Sequence, residues 1–112
     1  MTTVTIDRLP GGSITAFRSS GHAGYAESGS DIICAAISAI LQTAALGLRE
    51  EAGLFIALEM DEEQGEMEVI LERELSLEQR NKADIILNTM WLGLLSLQSA
   101  RPDNLKIVER RC

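Results

Sequence analysis

The stretch "SDIICAAISAILQTAALGLREEAG", residues 30–53, decides how the rest of the chain must fold. Ile32, Ile33, Ile37, Ile40, Leu41, Leu46 and Leu48 are interleaved with alanines, so a helix built on this run is apolar on nearly every side until Arg49. Such a helix is buried on more than one face. Ser30 or Asp31 can cap its start, since a short side-chain oxygen accepts from the free amides of a first turn. Gly53 is a suitable terminator.

Working outward, both flanks read as hairpins. On the N-terminal side, Val4 and Ile6 alternate with Thr3, Thr5 and Asp7, the period of a strand with one buried face. "LPGGS" breaks that strand, and Ile14, Ala16 and Arg18 then alternate with Thr15 and Phe17. On the C-terminal side, "LFIALEM" reads as an apolar strand and "DEEQG" as a turn. In "EMEVILER", Met67, Val69 and Leu71 fall on one side, with Glu68 and Glu72 on the other. Ser76 and Gln79 form a capping box before a second helix carrying Ala83, Leu87, Met90, Leu94 and Leu97 at helical spacing. Pro102 ends that helix, and "LKIVE" reads as a short last strand. The expected order is β-β-α-β-β-α-β. This is an α+β domain over residues 1–112, in two layers: an antiparallel or mixed sheet, from two hairpins and a C-terminal strand, packed with two helices.

Composition narrows the function. Hydrophobic residues make up 46% of the 112-residue chain, enough for a core, and the net charge is −7. An acidic domain repels a phosphate backbone, so direct nucleic-acid binding is not expected; a basic partner or substrate is favoured. "MTTVTIDRLP" lacks the pattern of a signal peptide, and no apolar stretch reads as long and uninterrupted enough for a bilayer. The expectation is a cytoplasmic protein without membrane association, its cysteines thiols rather than a disulfide framework, a Cys34–Cys112 bridge being the minor alternative. One His and two distant Cys give no zinc spacing, and no glycine loop has a nucleotide-binding pattern, so neither metal nor cofactor is expected.

The chemistry-bearing residues lie just ahead of and inside the first helix. "SSGHAGYAESGSDIICAAISA", residues 19–39, holds the only histidine, His22, and Cys34. With Asp31 as cap, Cys34 is the third helical residue, where unpaired amides and the macrodipole favour a thiolate and can stabilise an oxyanion. His22 would serve as base across the intervening loop. The plainer reading stands beside this: cysteine is often a buried core residue, and a histidine before a helix is often only a loop residue. Asp31 cuts both ways, because its charge would raise a nearby thiol pKa. Ser38, one turn after Cys34, either supports the sulfur or bonds a carbonyl one turn back. Glu27 is either attractive to a basic substrate or simply solvated loop charge. Cys112, at the last position, is expected to take no catalytic part.

The same stretch resembles the Prp family of ribosomal-processing cysteine proteases, small bacterial proteins. The resemblance rests on Gly21, His22 and Ala23, on Gly29 and Asp31 to Ala36, on Ser38, and on the separation of His22 and Cys34. It implies a cysteine endopeptidase with Cys34 as nucleophile and His22 as base. Asp31 and Ser38 would be in supporting positions, and Gly21, Ala23, Gly24, Tyr25, Glu27, Ser28 and Gly29 would make the substrate loop. The implied substrate is the large-subunit ribosomal protein whose N-terminus approaches the peptidyl-transferase centre, made with an N-terminal extension ending near a Phe-Phe pair. A homodimer is implied too, and suits a helix apolar on several sides. Related proteins often carry an aromatic just before the glycine matching Gly29, where this chain has Ser28; Tyr25 is the candidate replacement. The alternative function is a dimeric ribosome-associated binding module with a silent Cys/His site. The loop from Ala23 to Gly29, small and polar, is expected to close over bound peptide.

Overall fold

The computed structural model describes residues 1–21, 28–61 and 63–111, the side chains of 28–31 excepted. Strands β1 (Thr2–Arg8) and β2 (Ile14–Ser20) precede helix α1 (Ser28–Glu50). Strands β3 (Ile56–Asp61) and β4 (Glu66–Leu71), helix α2 (Leu77–Ala100) and strand β5 (Leu105–Arg111) follow. This is the expected order, in a five-stranded sheet arranged β3-β4-β2-β1-β5. The sheet is mixed: β5 lies parallel to β1, and every other pairing is antiparallel.

The hydrophobic pattern explains the layering. Val4 and Ile6 of β1, Phe17 of β2 and Met67, Val69 and Leu71 of β4 join one core with Ile33, Ile37, Leu41 and Leu48 of α1 and Leu87 and Leu94 of α2. Both helices therefore cover the same face of the sheet. Each fully buried Ile, Leu or Phe contributes about 1.5–3 kcal/mol, so this shared face is the main source of stability. The helices approach closely where Gly47 meets Ile86, whose Cγ2 would lie 3.3 Å from any Cβ at that glycine. The run Ile32–Glu50 is, by length and composition alone, apolar enough to cross a membrane, which departs from the sequence expectation. Here it is the central core helix, with Ile37, Leu41 and Leu48 almost wholly buried.

Two local readings change. Strand β2 was expected to alternate strictly, but the register slips between Asp7 and Arg8, which pair with Ala16 and Ile14. Thr15 is the extra residue, and such a bulge reverses the alternation. Ile14 and Phe17 thus both point into the core, at 2% and 0% exposure. Helix α1 also starts earlier than expected, at Ser28. Ser30 and Asp31 lie within its first turn rather than capping it, because small polar and acidic residues suit a first helical turn as well as a cap. At its other end Gly53, at φ +69°, turns the chain so that the Leu54 amide donates to the Leu48 carbonyl at 3.0 Å. The capping box of α2 forms as expected, with the Gln79 amide donating to Ser76 Oγ at 3.1 Å and the Ser76 amide to Gln79 Oε1 at 3.0 Å.

The bare face of the sheet carries an ion-pair network. Asp7 accepts from Arg110 Nε at 2.7 Å and Arg18 Nη1 at 3.2 Å, and Arg18 Nε donates to Glu68 at 2.9 Å. Arg110 and Arg18 beside it outweigh burial and hold the Asp7 carboxyl below its ordinary pKa. On the helix side, Arg8 stacks over Trp91 at 4.9 Å and donates to Glu109 at 2.7 Å, clamping the end of β1 away from Thr2.

Candidate active site

The site is built where the first strand begins. Thr2 opens β1, pairs with Leu105 of β5, and donates its amide to the Asn104 carbonyl at 3.0 Å. Being in phase with Val4 and Ile6, it turns its side chain toward the helices and is only 5% exposed. Its hydroxyl lies 3.2 Å from Cys34 Sγ. Cys34 is half-buried on α1 and carries a free thiol, so the minor disulfide alternative does not hold for it.

Gly21 reaches the same place from the other side. It follows β2, whose Ser20 pairs with Thr3. Its φ is +92°, and a Cβ there would sit 2.6 Å from the Met1 carbonyl oxygen. Only glycine fits this approach without displacing backbone. The residue before His22 and the Cys34 thiol are therefore both held against Met1 and Thr2.

The other expected site residues divide into three groups. His22, Ala23, Gly24, Tyr25 and Glu27 lie outside the described residues, as do the loop closure expected of them and Cys112. Ser28 and Gly29, expected in the substrate loop, are instead the first residues of α1, and Asp31 belongs to its first turn. Ser38 is seen in a different contact from either expected one, its hydroxyl accepting from Gln42 Nε2 at 2.7 Å.

The earlier helix start alters the chemistry. Cys34 sits in the second turn, not third in the helix. Its own amide is past the four that lack intrahelical acceptors, and the macrodipole fades beyond the first turn. A specific donor then matters more to the sulfur, and Thr2 is the residue that sequence reading missed. The signal was present: the alternation that buries Val4 and Ile6 also turns position 2 inward, and a hydroxyl on an apolar face needs a partner.

A free thiol on a core helix, in a two-layer α+β fold, fits a small cysteine hydrolase and an ordinary core cysteine alike, and similarity to known proteins decides between them. The model of the family described as cysteine protease Prp matches residues 1–106. The ribosomal processing cysteine protease Prp of Bacillus subtilis (strain 168) is 30% identical over 107 residues, covering 96% of each chain. A Streptococcus mutans protein of known crystal structure is 26% identical, with a TM-score of 0.86 over 100% of this chain and 96% of that one. The essential ribosomal processing protease Prp from S. aureus, crystallised with a substrate peptide, has the same fold, with 24% identity and a TM-score of 0.85 over 98% of this chain and 100% of that one. The chain belongs to the Prp family of cysteine proteases, and is a hydrolase of that class.

Proposed function

We propose that this protein is a cytoplasmic endopeptidase that removes the N-terminal extension of a large-subunit ribosomal protein, cutting near a Phe-Phe pair. Cys34 is the nucleophile and His22 the base. The observation that carries this reading is the convergence on β1: Gly21, directly before His22, packs on Met1, and the Cys34 sulfur touches Thr2. Gly21 and the Cys34 thiol thereby both lie against Met1 and Thr2, which supports pairing His22 with Cys34.

The reaction follows from those roles. His22 takes the proton from Sγ, and the thiolate adds to the scissile carbonyl carbon. The tetrahedral intermediate collapses, the C–N bond breaks, and His22 returns the proton to the leaving amine. Water, activated by the same histidine, then hydrolyses the thioester and frees the thiol. The net charge of −7 suits a basic ribosomal substrate.

A homodimer is part of the proposal. Leu46 of α1 and Ile85 and Leu92 of α2 are 56%, 69% and 64% exposed, and packing them against a second copy would take that apolar surface out of water. The deciding experiment incubates the precursor ribosomal protein with wild type, Cys34→Ala and His22→Ala. Cleavage by wild type alone is expected. Cleavage by Cys34→Ala overturns the assignment, and tight precursor binding without cleavage by wild type makes the protein a binding module instead.

A further inference from the structure

We propose that Thr2 is a positioning residue for Cys34, its hydroxyl donating a hydrogen bond to the thiolate. The inference rests on the reading of Cys34 as nucleophile. In the thiol form, either Thr2 Oγ1 or Sγ can be the donor across their 3.2 Å separation. An ionised sulfur has no proton to give, so the hydroxyl must then turn its own toward it. A hydrogen bond to a charged acceptor is roughly twice as strong as a neutral one. The contact therefore stabilises the thiolate more than the thiol, and it does so with a donor already in place.

That donor is rigid. Thr2 is β-branched, which restricts its χ1. Its backbone pairs with Leu105 of β5, and its amide donates to the Asn104 carbonyl at 3.0 Å. Only the hydroxyl hydrogen has to turn when the proton leaves, so little reorganisation is needed, the condition under which a fixed dipole stabilises charge most.

The surroundings leave this role open. Past Thr2, β1 presents Val4 and Ile6 to the helices, and beside it β5 presents Leu105 and Ile107. Apolar contacts of this kind favour a neutral thiol. The charged pair Arg8–Glu109 on the same side lies at the far end of these strands. On the loop and helix start, His22, Glu27 and Asp31 are the ionisable groups, and their side chains lie outside the description. With Cys34 in the second turn, the unpaired amides of the first are not its own.

The test is the pH profile of Cys34 alkylation by iodoacetamide, measured in a Cys112→Ser background. Thr2→Val keeps shape and strand preference while removing the donor. It is expected to raise the thiol pKa by about one unit, the tenfold difference between a charged and a neutral hydrogen bond. Thr2→Ser restores the hydroxyl and is expected to recover most of that shift. Fitting the whole profile separates pKa from the lower intrinsic reactivity of a more acidic thiol. An unchanged pKa in Thr2→Val, or an equal shift in Thr2→Ser, overturns the proposal. Thr2→Ala serves in place of Thr2→Val if that variant does not fold. The readout needs no proteolysis, so precursor cleavage by Cys34→Ala would sink the proposed function while leaving the Thr2 measurement to stand or fall on its own.

Discussion

Gly21 and Thr2 do at the residue scale what the conspicuous motif alone does not. Gly21 meets the Met1 carbonyl so closely that a methyl group has no room, and its φ of +92° is one that L residues rarely adopt. Gly21→Ala is expected to cost about 1–3 kcal/mol, seen as a lower urea midpoint. Gly11→Ala, with nothing within 4 Å of its Cβ, is the control and should be close to neutral. The motif singled out His22 and Cys34 as candidates because their identities and separation are written in sequence. Thr2 was not, since its role depends on α1 lying across the start of β1, and that is a tertiary contact.

Among the elements, the strands and helices follow their hydrophobic periods, and the departures have local causes. The extra residue at Thr15 carries no sequence mark that distinguishes it from ordinary alternation, so the burial of both Ile14 and Phe17 became visible only through the pairing register. The start of α1 was misplaced because Ser30 and Asp31 suit a cap and a first turn equally. The first hairpin and β5 are tied by Asp7, which is 8% exposed and accepts from two arginines. Asp7→Asn is expected to lose about 1–3 kcal/mol at neutral pH, since hydrogen bonds to a charged group are weakened. Folding lowers the Asp7 pKa, so its contribution is full above the ordinary value of 3.8 and fades as pH falls below that through the folded value. Acid titration of stability should therefore steepen below about pH 3.8 in the wild type, and Asp7→Asn should flatten that part of the curve.

For the whole molecule, the exposed apolar row on the helix layer sets the expected assembly. Ile85 and Leu92, seven residues apart on α2, share one face. Ile85→Glu with Leu92→Glu should leave the monomer folded, because both side chains are mostly in solvent. Sedimentation equilibrium should show dimers for wild type and monomers for the double variant; a wild-type monomer at micromolar concentration would remove the dimer from the proposal. The partnership of β1 with β5 has a different consequence, one of timing. Thr2 pairs with Leu105, near the opposite end of the chain, so the strand that walls the thiol remains an unfinished edge until the last strand has emerged. Contacts this distant in sequence form late and slowly. A nascent chain halted before Leu105 should thus display Cys34 without its completed surroundings and show a less activated thiol than a chain in which β5 has emerged and the sheet has closed.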